Sequence, residues 1–155
     1  LVVRHEREEL GALNWADFNA LKQTEFTRDI HCVTRWTKLD MKWKGVLFDD
    51  ILSALGIEPA TGHVTFHGAD GYTTNLPLAD LRGDKAMAAT QYDGQAVTAD
   101  HGGPIRMVVP HLYFWKSAKW VRGLQLQLID QPGFWEQNGY HDRGDPWRQQ
   151  RYQGD

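Results

Sequence analysis

The sequence has only one cysteine, Cys32, among its 155 residues. A single cysteine excludes an internal disulfide framework and any zinc site made only of cysteine ligands. The sequence also has no apolar run that approaches the roughly eighteen residues of a membrane-spanning helix. Acidic residues outnumber basic ones, and the formal net charge of −3 argues against nucleic acid as a partner.

The composition that remains is typical of a soluble globular protein. Hydrophobic residues make up 41% of the chain and charged residues 24%, a balance unlike that of disordered chains. The length suits a single domain over residues 1–155 with a core of its own. The chain begins at Leu1 without Met, and its first residues resemble the end of a strand. We therefore expect that the chain is truncated at its N-terminus.

Hydrophobic periodicity predicts an α+β fold with a mixed, mostly β core and short helices. One helix is predicted to begin at the cap Asn14 and another to span residues 46–55. Asp93 and Gly94 form a hairpin signal. The predicted strands cover 24–33, 63–66, 105–109 and 120–129. From residue 130 onward the chain is predicted to be a loop whose aromatic residues pack back across the domain or, alternatively, form a substrate or partner surface.

Cys32 lies at the end of a predicted strand, in the run His31-Cys32-Val33-Thr34-Arg35-Trp36. A free cysteine is often a buried structural residue, but a thiolate is also a soft ligand for a transition metal. No second cysteine and no nearby pair of histidines completes a metal site made of protein ligands alone. His31 is predicted to point to the opposite face of the strand. A metal at Cys32 would therefore need further ligands from outside the protein.

A second cluster, in segments 101–110 and 117–120, has the donors of an anion site. Arg106 has a planar fork suited to phosphate, and Lys119 supplies a compact positive charge. The glycines of the first segment let a ligand approach the backbone, and Ser117 with its neighbouring N–H groups can complete a cradle. Such pairs of cations are more often surface charges. Arg106, however, interrupts a strand that looks buried, and a buried charge needs a partner.

Four segments, in this order and spacing, resemble the molybdopterin-dependent oxidoreductases of the sulfite oxidase type. The resemblance extends from about Trp15 to Leu128, and it implies the molybdopterin-binding fold of that family. The segments are Cys-Val-x-x-Trp at 32–36, Phe-His-Gly-Ala-Asp at 66–70, His-Gly-x-Pro-x-Arg-x-Val-Val-Pro at 101–110 and Ser-Ala-Lys-Trp at 117–120.

The resemblance also assigns roles to individual residues. It implies that Cys32 is the molybdenum ligand. The residues that it implies for binding the pterin cofactor are Asp70, His101, Arg106, Ser117, Ala118 and Lys119. Sulfite oxidases follow their cysteine with Ala-Gly-Asn-Arg-Arg, which is absent here. A related bacterial reductase of oxidised methionine has Thr where this chain has Gly68. A cofactor-contacting loop of the family would precede Leu1.

The implied function is the transfer of an oxygen atom and two electrons on a small oxyanion, sulfoxide or N-oxide, with a molybdenum–molybdopterin cofactor. The sequence has no ligand set for haem or an iron–sulfur cluster, so a separate electron-transfer protein or domain is expected beside the small-molecule substrate. The chain lacks the C-terminal dimerisation domain of sulfite oxidases, which favours a monomer. We expect a cytoplasmic protein, although any export signal would lie in the missing N-terminus.

Two other functions remain open from the sequence. The chain can be a cofactor-free binding module of the same fold that engages a protein partner through its aromatic C-terminal part. It can also be a thiol enzyme in which Cys32 is the nucleophile. That enzyme needs a base within hydrogen-bond reach, and the sequence offers His31 or His101.

Overall fold

The structure, a computed structural model, describes residues 1–59 and 62–155. Within these ranges it contains strands and short helices in the following order. The elements are β1 (Val2–His5), β2 (Glu8–Ala12), α1 (Trp15–Ala20), β3 (Thr24–Cys32), β4 (Trp36–Leu47), α2 (Phe48–Ala54), β5 (His63–Gly68), β6 (Thr73–Pro77), β7 (Met87–Tyr92), β8 (Gln95–Ala96), β9 (Arg106–Val108), β10 (Val121–Gln127) and α3 (Phe134–Gln137). Single 3₁₀ turns cover Leu78–Asp80, Ala99–His101 and Phe114–Lys116.

The strands form two sheets. The first has the order β2-β1-β10-β5-β6, in which β1 and β10 run parallel and the other neighbours antiparallel. The second has the order β3-β4-β7-β8, and β9 pairs with β7. This strand-rich mixture with short helices confirms the predicted α+β class.

The main core contains residues from both sheets and both longer helices, including Phe18, Val46, Ile51, Phe66 and Leu124. A smaller apolar cluster is formed mainly by strands of the second sheet. Its buried members are Phe26, Ile30, Met41, Trp43, Met87, Ala89, Val97 and Val108. Full burial of a side chain such as Ile30, Met87 or Val108 stabilises the fold by about 1.5 to 3 kcal/mol. The second cluster matters for function because it supports the residues of the candidate site.

The helix predictions are confirmed in position, with one corrected boundary. The side chain of Asn14 accepts a hydrogen bond of 2.8 Å from the backbone N–H of Asp17, as expected of a helix cap. The second helix begins at Phe48 instead of residue 46. Val46 and Leu47 belong to β4, because that strand continues to pair with β7 as far as Leu47.

The predicted strands at 24–33, 63–66, 105–109 and 120–129 correspond to β3, β5, β9 and β10, with shifted ends. Asp93 and Gly94 form the predicted hairpin turn, both with positive φ. β10 is a central strand of the first sheet, and Gly123, Leu124 and Gln127 are all buried. In the described residues, no helix is long and apolar enough to cross a membrane.

Candidate functional site

Cys32 ends β3 and lines a recess of about 390 Å³, a size that suits a small molecule. Its Sγ lies 2.9 Å from the hydroxyl of Thr34. We call this cavity the Cys32 recess. The residues that line it are His31, Cys32, Arg35, Trp36, Thr37, Tyr113, Pro146, Trp147, Gln149 and Arg151.

His31 also lines the Cys32 recess, and unlike Cys32 it lines a neighbouring cavity as well. Both residues belong to β3, where His31 pairs with Thr37 and Cys32 with Trp36. Nδ1 of His31 lies 2.9 Å from the hydroxyl of Thr37, and Nδ1 of His101 lies 2.8 Å from that of Thr98. Among the described hydrogen bonds, the thiol of Cys32 has a hydroxyl partner and no imidazole partner. The structure therefore does not support a thiol enzyme with a histidine base.

Arg106 joins the two predicted cofactor segments. It is 5% exposed, and its Nη1 and Nη2 donate to the carbonyls of His101 (2.7 Å) and Ser117 (3.1 Å). Its guanidinium carbon lies 4.5 Å from the ring centre of Phe114 and 5.6 Å from that of Trp43. Burial lowers the pKa of Arg106 to about 10, so the side chain stays cationic at neutral pH.

Backbone contacts hold the same two segments together. Trp120 donates from its backbone N–H to the carbonyl of Gly102 (3.0 Å), and Met107 donates to that of Ala118 (2.8 Å). Gly102 has φ +101°, and a Cβ there would lie 2.7 Å from Cβ of Lys119, so this close approach requires glycine. We call these segments, 101–106 and 117–120, the Arg106 cradle. The predicted residues that it brings together are His101, Arg106, Ser117, Ala118 and Lys119.

Asp70 lies on a turn that adjoins this cradle. The backbone N–H of Ala69 donates to the carbonyl of Trp120 (2.8 Å), and the carboxylate of Asp70 accepts from the N–H of Tyr72 (3.0 Å). Burial, followed by the charge of Glu136, raises the pKa of Tyr72. Its hydroxyl therefore stays protonated and donates to a backbone carbonyl. Tyr72 does not line the Cys32 recess.

The cradle suits a phosphorylated organic group. Arg106 and Lys119 take part in none of the ion pairs among the described residues. Nε of Arg106 is buried without a hydrogen-bond partner, and Lys119 Nζ lies 4.1 Å from the ring centre of Trp120. Cations that no carboxylate neutralises, beside a glycine backbone, are the donor set that binds phosphate. Ser117 and Ala118 are buried, which leaves Lys119 as the accessible side chain of the second segment.

The lining of the Cys32 recess includes none of the predicted cofactor-binding residues. Two consecutive residues link the recess and the cradle. Tyr113 lines the recess, and the ring of Phe114 packs against the guanidinium of Arg106. The structure thus groups the cations of the cradle, and it places Cys32 in a recess whose lining shares Tyr113, the neighbour of Phe114 in the chain.

One wall of the Cys32 recess comes from the C-terminal segment, residues 130–155, and the sequence did not indicate which of its residues would line a cavity. Its members in the lining are Pro146, Trp147, Gln149 and Arg151. The ring of Trp147 lies 4.5 Å from that of His31, centre to centre, and the guanidinium of Arg151 lies 5.4 Å from the ring centre of Tyr113. The segment does pack back across the domain, as predicted. No periodic pattern in it could have indicated which residues reach Cys32.

A buried ion pair fixes this segment to the fold. Nζ of Lys116 lies 2.6 Å from the carboxylate of Glu136, and both side chains are fully buried. Lys116 also donates to the carbonyls of Asn75 and Asp142. The same carboxylate oxygen of Glu136 accepts from the indole N–H of Trp115 at 2.9 Å. Burial lowers the pKa of Lys116, and the negative charge of Glu136 opposes this change.

A second ion pair fixes the segment at Asp80. Arg143 donates to both carboxylate oxygens of Asp80, at 2.9 and 3.1 Å, and His111 lies 3.3 Å from one of them. Burial by itself raises the pKa of Asp80, but the hydrogen bonds from His111 and Arg143 and their charges outweigh it. The pKa therefore lies well below the usual range of a carboxyl group.

Comparisons with known proteins identify the family of the chain. A family model described as "Oxidoreductase molybdopterin binding domain" matches residues 1–135. The chain is 48% identical over 143 residues to the uncharacterized oxidoreductase YuiH of Bacillus subtilis, covering 92% of this chain and 72% of YuiH. It is 36% identical over 109 residues to the mitochondrial sulfite oxidase of Drosophila melanogaster, covering 64% of this chain and 19% of that protein.

A solved structure supports the fold. The sulfane dehydrogenase SoxCD of Paracoccus pantotrophus matches with a TM-score of 0.70 at 22% identity, over 82% of this chain and 37% of that chain. This likeness confirms the predicted sulfite oxidase-type fold. The chain therefore spans most of YuiH but only a minor part of the sulfite oxidase and of SoxCD.

Proposed function

Because the chain belongs to the family of oxidoreductase molybdopterin binding domains, we propose that it holds a molybdenum–molybdopterin cofactor and acts on a small oxyanion, sulfoxide or N-oxide. The bound cofactor supplies the transfer of one oxygen atom and two electrons. The protein's own residues hold the cofactor, tune it and control what reaches it.

Cys32 is the proposed molybdenum ligand. Its thiol is partly buried and opens into a recess large enough for a small substrate. A thiolate is the soft ligand that such a metal accepts. The hydroxyl of Thr34, 2.9 Å from the sulfur, can donate a hydrogen bond to the thiolate. Hydrogen bonds of this kind adjust the basicity of a ligand and the potential of its metal.

The Arg106 cradle is the proposed grip on the pterin cofactor. The residues proposed for this role are His101, Arg106, Ser117, Ala118 and Lys119 of the cradle, together with Asp70 on the adjoining turn. Both Nη groups of Arg106 are already bonded to the chain's own carbonyls. Arg106 therefore contributes its free Nε, its charge and the shape that it gives to the backbone. Lys119 supplies the accessible cation.

The remaining proposals concern the electron-transfer partner, the oligomeric state and the compartment. A single cysteine is too few for an iron–sulfur cluster, which supports a separate electron-transfer protein or domain. A monomeric, cytoplasmic protein with one domain over residues 1–155 remains a prediction. The observation that carries the proposed function is the family match over residues 1–135, which include both the Arg106 cradle and Cys32. Cys32 is the only cysteine of the sequence, and it lines an open recess.

The test is the cofactor content of the chain after expression in a host that makes molybdopterin. We expect equimolar molybdenum and pterin in the wild type, measured by elemental analysis and by the fluorescence of the oxidised pterin. Arg106→Lys should lose most of both, because an ammonium cannot reach both carbonyls in the fork geometry of a guanidinium. The matched control Arg7→Lys, at an exposed position between β1 and β2, should keep them. A wild-type chain without molybdenum would overturn the proposal.

A cofactor-free binding module remains the second candidate, because Trp36 and Trp147 are 53% and 73% exposed at the rim of the Cys32 recess. Large exposed aromatic side chains are common at protein interfaces. This function predicts nanomolar binding of a protein partner by a chain without molybdenum, and loss of that binding in Trp147→Ala. Leu39→Ala, at an exposed apolar residue outside this recess, is the control.

A further inference from the structure

Residues 113–117 form one short turn of the chain, which we call the connecting turn. The backbone N–H of Lys116 donates to the carbonyl of Tyr113 (3.0 Å), and that of Ser117 donates to the carbonyl of Phe114 (3.0 Å). Hydrogen bonds between residues three apart are those of a 3₁₀ turn. They hold the residues of the turn relative to one another, so a shift of one part of the turn moves the rest.

The connecting turn contacts both parts of the candidate site. Its first residue, Tyr113, lines the Cys32 recess. The ring centre of Phe114 lies 4.5 Å from the guanidinium carbon of Arg106. The last residue, Ser117, accepts a hydrogen bond of 3.1 Å at its carbonyl from Nη2 of Arg106. The spacing between the recess and the cradle therefore depends on where this turn lies.

One carboxylate holds the middle of the connecting turn. Oε1 of Glu136 accepts from the indole N–H of Trp115 at 2.9 Å, and Nζ of Lys116 lies 2.6 Å from the same oxygen. The hydroxyl of Thr74, in β6, donates to this oxygen at 2.8 Å. Since two consecutive residues of the turn are bonded to one atom, Glu136 fixes the orientation of the turn as well as its position.

Stability alone is a poor reason for this arrangement. Lys116 and Glu136 are fully buried, and a buried ion pair adds little net stability because both charges lose their hydration. The three donors share Oε1, whereas Oε2 of Glu136 is buried without a hydrogen-bond partner. An apolar pair of similar size would avoid both costs. A buried acceptor without a donor calls for a specific explanation.

We infer that Glu136 is a positioning residue for the cofactor: it orients the connecting turn and thereby sets the spacing between the Cys32 recess and the Arg106 cradle. The inference rests on the proposed function, in which the recess supplies the metal ligand and the cradle holds the pterin. A group bound at both ends tolerates displacements of only about 0.5 Å in its site. Glu136 follows residues 1–135 of the family match, so the C-terminal segment supplies this control.

The test uses the only cysteine of the chain as a reporter. A thiolate that is bonded to molybdenum is not free to attack an alkylating reagent, whereas a free thiolate is. Cys32 should therefore react with iodoacetamide more slowly in the loaded wild type than in the cofactor-free chain. Mass spectrometry measures the rate, and the molybdenum and pterin contents are determined on the same samples. Comparison of the two states separates metal bonding from general exposure of the thiol.

The main variant removes the bonds to the turn without leaving a buried charge. Lys116→Met combined with Glu136→Leu replaces the pair with apolar side chains, and its urea midpoint should lie near that of the wild type. With cofactor bound, its Cys32 should be alkylated at least tenfold faster than in the loaded wild type. Without cofactor, the two proteins should react at equal rates. Loss of the cofactor from a double variant of wild-type stability would equally support the positioning role.

Three further variants separate positioning from stability. Glu136→Gln keeps an acceptor for Trp115 and should keep Cys32 protected, although it removes the ion pair. Ile51→Val lowers stability through the core at α2 and should also keep Cys32 protected. Trp115→Phe keeps an aromatic ring but removes one bond to Glu136, so an intermediate rate is expected. This last variant keeps the test decisive should the double variant not fold.

The outcomes that overturn the inference differ from those that overturn the proposed function. A loaded double variant with Cys32 as protected as in the wild type would overturn the positioning role and leave the proposed function intact. The same holds for full protection in Trp115→Phe, and for a loss of protection in Ile51→Val as large as in the double variant. A wild type without molybdenum, or with Cys32 unprotected in the loaded state, would overturn the proposed function and the positioning role with it.

Discussion

Arg106 and Lys116 differ from Arg35 and Arg151 in what their charges contact. The first two are buried, and carbonyls or a carboxylate of the chain take their hydrogen bonds. The second two line an open recess, where no carboxylate pairs with them among the described residues. Cations that bond to buried acceptors of the chain hold segments together, and of Arg106 only the Nε is left without a partner. Cations that line an open recess without a carboxylate partner are available to a ligand.

This difference predicts that substitutions of the two kinds of cation have different effects, one on the free energy of unfolding and the other on ligand binding. Removing a satisfied cation leaves buried acceptors without a donor, which costs folding free energy. Removing an unsatisfied cation from an open recess leaves few buried acceptors without a donor. Such a substitution should therefore weaken ligand binding and leave the free energy of unfolding nearly unchanged. The following predictions run from the largest expected change in stability to the smallest.

Lys116→Met should lower the free energy of unfolding by about 3 to 5 kcal/mol, because it leaves the carboxylate of Glu136 buried without its cation. Chemical denaturation with urea measures the change. The double variant with Glu136→Leu should recover most of the loss, since it replaces the pair with apolar side chains. A single variant within about 1 kcal/mol of the wild type would contradict the role of this pair.

Arg106→Met should lower the free energy of unfolding by about 2 to 4 kcal/mol, since the carbonyls of His101 and Ser117 lose their donor in a buried site. The same urea experiment measures it. Arg122→Met, at an exposed position, is the control and should change stability by less than about 0.5 kcal/mol. Equal stabilities of the two variants would show that Arg106 does not join the segments.

Asp80→Asn should destabilise the protein near neutral pH, and its disadvantage should shrink in acid. The folded-state pKa of Asp80 lies below its usual range. The stabilisation is therefore fully present above the unfolded-state pKa of about 4, and it is lost as the pH falls through the folded-state pKa. Urea unfolding at about pH 6 and about pH 3.5 compares the two proteins. A difference that stays constant with pH would contradict the ion pair with Arg143.

Arg35→Gln should change the free energy of unfolding by less than about 0.5 kcal/mol, because surface substitutions that break no buried contact rarely change it more. Its side chain is exposed and has no carboxylate partner among the described ion pairs. Thermal and urea unfolding measure the stability. A stability loss as large as that of Arg106→Met would remove the distinction between satisfied and unsatisfied cations.

The sequence predicts the parts of the site that short motifs carry. Arg106 breaks an apolar run, and the glycines before it indicate close backbone contact; the structure shows both features. Met41 and Trp43 alternate with lysines, a signal that could have revealed β4. The exposed Trp36 and Leu39 in its first half obscure that pattern.

Other parts could not be predicted from local sequence. Lys116 and Glu136 are charged residue types that are mostly exposed in proteins, so nothing in their neighbours indicates a buried pair. Arg151 reaches the recess only because that pair and the Asp80 contact hold the C-terminal segment against the domain. Such placement depends on contacts between residues far apart in the sequence.

The proposed function depends most on a bond between Cys32 and molybdenum. X-ray absorption at the molybdenum edge counts the sulfur atoms bound to the metal in the wild type and in Cys32→Ser, with both samples loaded with cofactor. We predict that the variant has one sulfur ligand fewer and does not transfer oxygen atoms. The same sulfur count in both proteins would contradict the account.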